Sequence, residues 1–399
     1  MTGVGVISSI GSDAAEFTAA MDQGVVAVSP APWADPENPT SWVSAIQDFD
    51  PTQFLDDRLV DGTDLFAQYA LVAAEQAIAM HGAELEAGTG VVIGTTMAGV
   101  TSLVDAQRKL DLVGPEAVPR KLNIQAWPNM AAGQIAIKHK LHGPLLTVSS
   151  ACASSIDALG TAMGMIQTGR ADVVIAGGTE RGLCEVLHHS QMQYGMTNAV
   201  SDPAMATMPF DRRRSGLVEG EGAAVFVLER ADRARERGAE ILGLLTGYGN
   251  LSDGSHPSSP DPSGVWEAEA MRQAQRSAGI GPDTISGIVA HATSTPKGDV
   301  VEITAINEVF GDRRGSLPVT SIKGNVGHTG AASGGMGLAL ALHAMKTGQL
   351  AHIAPTRDVE EDALFDVVVD KPAVGDYRAI QINAFGFGGQ NSSLIVERA

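Results

Sequence analysis

The chain has 399 residues, a formal net charge of −19, and 44% hydrophobic against 18% charged residues. That length exceeds what one hydrophobic core usually serves, so two compact halves are expected. The acidic balance disfavours a general nucleic-acid binder, and two cysteines exclude both a disulfide framework and a cysteine-based zinc site.

The N-terminus lacks the basic and apolar regions of a signal peptide, and no apolar run reaches membrane-spanning length, so a cytoplasmic location is expected by default. The chain opens at Met1-Thr-Gly-Val-Gly-Val-Ile7, already inside what reads as a first strand, and a start a few residues upstream is expected. Residues 29–52, rich in Pro and Asp, read as a surface loop, and a helix is predicted over 64–80. Strands are predicted over 91–93 and 145–148, the second short and apolar as a fully covered strand should be. Cys152 follows it, and Ile156, Leu159, Met163 and Ile166 then recur at helical spacing up to Gly169. A thiol at a helix start faces unpaired N–H groups and the positive end of the helix dipole, and both favour the thiolate. The competing reading of a lone cysteine is a buried structural residue.

Further strands are predicted over 173–175, 241–245, 288–290, 318–322 and 380–382, and helices over 264–278 and 299–310. The basic run 230–237 reads as a solvated helix face, and 252–263 as a second surface loop. This alternation argues for α/β layers around buried sheets. A weak repeat organises them. Val225-Phe-Val-Leu-Glu-Arg-Ala231 returns as Ser393-Leu-Ile-Val-Glu-Arg-Ala399, and Ala162-Met-Gly-Met-Ile-Gln-Thr-Gly169 as Ala341-Leu-His-Ala-Met-Lys-Thr-Gly348. Two pairs in the same order indicate an internal duplication, with halves at 1–238 and 239–399. Ala331 then takes the place of Cys152.

Two of the ten histidines, His291 and His328, each follow a strand and enter a turn of small residues. One alone would read as structural. Two in the half opposite a helix-starting cysteine are candidates to act with it. The turn Gly386-Phe-Gly-Gly389 suits backbone N–H donation to a reacting centre. Neither a P-loop nor a dinucleotide fingerprint is present.

These residues carry a resemblance. Thr147-Val-Ser-Ser-Ala-Cys-Ala-Ser-Ser155, His291-Ala-Thr-Ser-Thr-Pro-Lys-Gly-Asp299, Lys323-Gly-Asn-Val-Gly-His328 and Asn383-Ala-Phe-Gly-Phe-Gly-Gly-Gln-Asn391 resemble four signature blocks of the elongating β-ketoacyl-acyl-carrier-protein synthases. Pro209-Phe-Asp-Arg-Arg-Arg-Ser-Gly216 resembles a fifth. The resemblance implies the thiolase fold, two pseudo-symmetric βαβαβ-type halves in five αβαβα layers. It also implies decarboxylative condensation of an acyl group on Cys152 with malonyl-carrier, without metal or cofactor, in fatty-acid or type II polyketide synthesis. His291 and His328 would donate to the thioester carbonyl, and Lys323, paired with Glu302, would organise the field. Phe385 would be both oxyanion donor and gate, with Gly386 beside it, and Thr293 and Thr295 would contact the pantetheine arm. Arg120, Lys121, Arg212 and Arg213 are the candidates for docking an acidic carrier. A homodimer is expected, or a heterodimer with a ketosynthase-like partner. Departures include Ala292 where the family has Gly, Ser215 for an acidic residue, and Asp56, Asp57 and Asp61 where basic residues are usual. The alternatives are a coenzyme-A-dependent thiolase or initiation-type enzyme, which the Lys323 to His328 block opposes, and a chain-length-factor-like subunit, which Cys152 opposes.

Overall fold

The repeat in the sequence is a repeat of sheets. The computed structural model describes residues 1–37 and 39–399. In the first half, β1 (Gly3–Ile7), β2 (Gly90–Gly94), β3 (Leu145–Val148), β4 (Val173–Glu180) and β5 (Gly222–Glu229) form a sheet ordered β1-β5-β4-β2-β3. In the second, β6 (Leu244–Ser252), β7 (Gly287–Val289), β8 (Pro318–Thr320), β9 (Asp366–Val367), β10 (Ala379–Gly386) and β11 (Gln390–Glu397) are ordered β9-β8-β7-β10-β11-β6. Apart from the added edge strand β9, the second order repeats the first, strand for strand. Pairing sense repeats too. The strands β3, β2 and β4 run parallel, then β4–β5 and β5–β1 antiparallel. The strands β8, β7 and β10 run parallel, then β10–β11 and β11–β6 antiparallel.

Six helices complete the layers: α1 (Leu65–His81), α2 (Met130–His139), α3 (Ser154–Gln167), α4 (Val265–Ala278), α5 (Pro296–Phe310) and α6 (Ser333–Thr347). Local chemistry sets their ends. α1, for example, starts where the Asp64 side chain accepts from Phe66 N and stops at Gly82 in the left-handed region, φ +70. Alternation along the strands sorts their faces. Val91 and Ile93 pack outward with Phe66, Tyr69 and Ile135 of α1 and α2, whereas Val92 packs inward with Ile156 and Leu159 of α3. That inner core also takes in Met336 and Leu340 of α6 and Ile382 and Leu394 of the second sheet. A third cluster joins Met271 of α4 and Ile306 of α5 to Ile288 and Ile395. The result is five layers, with α3 and α6 sandwiched between the sheets. Helices so enclosed are apolar nearly all round, as the α6 sequence is.

Three expectations change. β6 runs from Leu244 to Ser252 rather than over 241–245. Its glycines and polar residues hide the strand pattern, but the glycines are required by packing. A Cβ on Gly247 or Gly249 would sit 2.2 Å from the carbonyl oxygen of Ala274 or Ala270 in α4. Gly3 and Gly5 of β1 stand in the same relation to Ala77 and Ala73 of α1, at 2.0 Å, so the duplication extends to how a helix backbone lies on a strand. Second, β3 is not covered within this chain. It is an edge strand, with Leu145 49% and Leu146 43% exposed. Third, the segment 29–52 is not simply loop. Ser29–Pro30 and Trp42–Ser44 join Glu219–Gly220 in a small sheet, with Trp42 Nε1 donating to the Val200 carbonyl at 2.7 Å. Strands of two or three residues are too short to show a period, and position 38 of this segment lies outside the described residues. Among the described residues no helix is long and apolar enough to cross a membrane.

The helix-on-strand contact is testable. Gly249→Ala is expected to cost about 1–3 kcal/mol by overpacking, read as a lowered thermal midpoint. Gly281→Ala, where nothing lies within 4 Å of the new Cβ, is expected to leave the midpoint nearly unchanged.

Candidate active site

The N-termini of α3 and α6 meet at the centre of the molecule, where Gly335 N donates to Ser155 Oγ at 2.9 Å. Cys152 stands just before α3, and Ala331 holds the matching position before α6. The chain reaches Cys152 through Ala151, a non-glycine residue at φ +51, a sparsely populated conformation that neighbouring bonds must hold. They do so. Ser154 Oγ donates to the Ala151 carbonyl at 2.6 Å and accepts from Ser150 N at 2.9 Å, and Thr96 Oγ1 donates to the Ala151 carbonyl at 3.1 Å. The Ser150 hydroxyl donates to buried Asp157, which also receives Tyr248 Oη (2.8 Å), Asn250 Nδ2 (3.1 Å) and Ser392 Oγ (2.5 Å) from the second half.

The loops after β7 and β8 bring both histidines to the sulfur. His328 Nε2 lies 3.0 Å from Cys152 Sγ. Its Nδ1 accepts from Gly330 N at 3.2 Å and lies 3.1 Å from Ser333 Oγ. A backbone N–H can only donate, so the ring proton is on Nε2, toward the sulfur. His291 repeats the logic, since its Nδ1 faces the Lys323 ammonium at 3.4 Å. The two rings stand nearly perpendicular, with centroids 5.5 Å apart. Burial, with the Lys323 charge adding to it, holds both imidazoles well below the ordinary histidine value, so both are neutral at pH 7. Burial also lowers Lys323 to about 8, with Glu302 pulling the other way.

Several site residues stand differently from expectation. Glu302 forms no ion pair with Lys323. Its carboxylate accepts His291 N (2.8 Å), Ala292 N (2.6 Å) and Asn383 Nδ2 (3.2 Å), and so fixes the loop rather than the lysine. Lys323 instead donates to the His291 carbonyl oxygen. The Cys152 thiol is not lowered by its helix. Burial dominates and pushes it up to about 11, while Lys323 and the amides of Cys152 and Phe387 pull it down. The amide against the sulfur is therefore that of Phe387, not Phe385. Phe385 lies inside β10, opposite Asn391, with its buried ring 5.9 Å from His291, whereas Phe387 is in the turn beyond, 42% exposed at the cavity wall. Arg212 and Arg213 are not free cations. Arg212 pairs with Asp358 and Glu361, each at 2.6 Å, and Arg213 with Asp211 at 2.8 Å. Arg120 and Lys121 are exposed, with no ion pair among the described residues.

A cavity of about 650 Å³ opens onto this group, and Thr293, Thr295 and Gly386 line it with Cys152, His291 and His328. Thr293 and Thr295 hydroxyls lie 3.0 Å apart, and Thr295 also caps α5. Glu180, Ser333, Phe387 and Lys297 belong to the site but were not read from the sequence. Glu180 ends β4 and accepts Met97 N (2.9 Å), Thr96 N (3.1 Å) and Ala331 N (3.2 Å), joining the two halves. An acidic residue closing an apolar, glycine-containing strand was the available signal. The ligand atoms of Cys152, His291 and His328 all lie within 4.8 Å of one another, a spacing that could grip a soft divalent ion, although the adjacent Lys323 cation opposes one.

Fold and site together define a thiolase-like condensing-enzyme architecture. The family descriptions "Beta-ketoacyl synthase, N-terminal domain" and "Beta-ketoacyl synthase, C-terminal domain" match residues 1–234 and 242–357. The chain is 31% identical to a 3-oxoacyl-[acyl-carrier-protein] synthase 2 of Coxiella burnetii over 404 residues, covering 100% of this chain and 98% of that one. Among solved structures, a β-ketoacyl synthase from Burkholderia phymatum aligns with a TM-score of 0.91 at 30% identity, and the ishigamide ketosynthase/chain length factor with 0.91 at 28%, each covering 100% of this chain and 98% of the other. The chain belongs to the β-ketoacyl synthase family.

The raised thiol predicts a pH profile. Alkylation of Cys152 by iodoacetamide, followed by mass, is expected to quicken steadily from pH 7 and level off only near 11. A plateau below pH 8 contradicts the dominance of burial.

Proposed function

We propose that the protein is a β-ketoacyl-acyl-carrier-protein synthase that lengthens an acyl chain by decarboxylative condensation with malonyl-carrier. The observation that carries this reading is the 3.0 Å approach of His328 Nε2–H to the Cys152 sulfur, with His291 and Lys323 beside it. In the first half-reaction the sulfur attacks the acyl thioester, the carbon–sulfur bond to the carrier breaks, and the thiol proton leaves with the carrier thiol. The oxyanion meets the amides of Cys152 and Phe387. In the second, malonyl-carrier loses carbon dioxide. Its thioester carbonyl gathers charge against the Nε2–H groups of His291 and His328, which donate because the rings are neutral. The enolate carbon attacks the acyl carbonyl, and the Cys152 sulfur leaves and takes up a proton. Lys323 holds His291 in this tautomer, and Glu302 holds its backbone.

Carrier docking is assigned to Arg120 and Lys121, which have no ion-pair partner among the described residues, and to Lys297 at the cavity wall. The dimer closes on the exposed apolar edge of β3, where an uncovered strand end is otherwise a liability. The partner at this edge is a second copy of the chain. The likeness to the ishigamide ketosynthase/chain length factor supports a ketosynthase-like second chain as the alternative.

Intact-mass measurement with acyl-carriers is expected to give an adduct on Cys152, which added malonyl-carrier discharges as 3-oxoacyl product. No adduct with any acyl donor refutes the proposal. His291→Ala is expected to keep acylation but to slow malonyl decarboxylation by roughly 10²–10³-fold, the usual effect of removing one oxyanion donor.

A further inference from the structure

The cavity has two unlike walls. Thr293, Thr295 and His291 come from the second half, and Leu187, Gln191 and Glu219 from the first. Extender chemistry needs the imidazole side, which leaves the first-half wall for the acyl chain on Cys152. That wall is largely apolar, with Met97, Leu183, Leu187 and Leu217, but Glu219 and Gln191 interrupt it with polar groups. Glu219 is buried, and its only side-chain partner among the described residues is His188 Nδ1, 2.6 Å from Oε2. Its other carboxyl oxygen has no hydrogen-bond partner among the described residues and is not sealed from the cavity that Glu219 lines. The Gly220 N–H donates to the His328 carbonyl at 2.9 Å, so Glu219 is fixed beside the reacting centre. Behind it His188 packs on Trp33, with ring centroids 5.3 Å apart, and His188 Nε2 and Trp33 Nε1 are both buried without partners. Gln191, on the same wall, has its side-chain oxygen buried and unpartnered.

Of these groups only Glu219 and Gln191 line the cavity, and a saturated chain laid over them strips water and returns no hydrogen bond. An oxygen on the chain reverses the sign. A hydroxyl donates to the free carboxyl oxygen of Glu219, and the Gln191 carboxamide either accepts a hydroxyl or donates to an oxo group. We propose that the acyl group this protein accepts on Cys152 is an oxygenated chain, carrying hydroxyl or enolised oxo groups that Glu219 and Gln191 recognise. The inference rests on the condensing-enzyme reading and names its substrate class.

The test follows Cys152 acylation by intact mass, using pantetheine thioesters of hexanoate, 3-hydroxyhexanoate and 5-hydroxyhexanoate. At least one hydroxylated chain is expected to acylate about tenfold faster in kcat/KM than hexanoyl, the scale of one hydrogen bond to a buried partner. Glu219→Leu and Gln191→Leu are each expected to bring that ratio close to one, chiefly by speeding the saturated chain. If Glu219→Leu fails to fold because His188 loses its partner, Gln191→Leu decides alone. A saturated chain as fast as both hydroxylated ones, or a preference that Gln191→Leu leaves intact, overturns this inference alone. Acylation by none of the three overturns it together with the condensing-enzyme reading.

Discussion

Two helix starts meet at the centre of this molecule, and each brings unpaired N–H groups into a largely buried region. Such groups need acceptors, and the fold supplies them across the seam between its halves. Glu180, from the first sheet, takes the amides of Thr96 and Met97 on its own side and of Ala331 on the other. Ser155 takes Gly335 N, and Asp157 gathers hydroxyls and an amide from the second sheet. These bonds set the distance between the Cys152 turn and the His328 turn. The polar joint is thus both the fastener of the two halves and the ruler of the site.

Around the sulfur itself, burial suppresses charge. Burial holds the two imidazoles neutral and the thiol protonated, and leaves Lys323 as the cation beside them. A site of this kind has little charge of its own to reorganise, so charge that develops on a substrate meets prearranged N–H donors instead. The protonated cysteine fits an exchange of one thiol for another, because the proton released by one sulfur is taken by the other.

Much of this was legible in the chain. The helix after Cys152, the two histidine turns and the paired endings at 225–231 and 393–399 pointed to two similar halves sharing one centre. What was not legible depends on contacts distant in sequence. β6 is masked because Gly247 and Gly249 answer to Ala274 and Ala270 rather than to strand propensity. The thiol's direction of shift follows from enclosure by both halves, and a helix start read alone gives the opposite sign. The partner of Glu302 and the amide facing the sulfur differ from expectation by small offsets, a peptide N–H in place of an ammonium and Phe387 in place of Phe385. Offsets of that size decide hydrogen bonds, and a motif does not resolve them. Arg212 and Arg213 are charged in sequence but neutralised in place by Asp358, Glu361 and Asp211.

The edge strand β3 ends at Val148, and the backbone then passes through Ser150 and the left-handed Ala151 to Cys152. A molecule that covers Leu145 and Leu146 therefore grips the same short length of chain that aims the nucleophile. In the proposed dimer, assembly and reactivity would share one mechanical lever, and dilution to single chains would bare the edge that leads into the Cys152 turn.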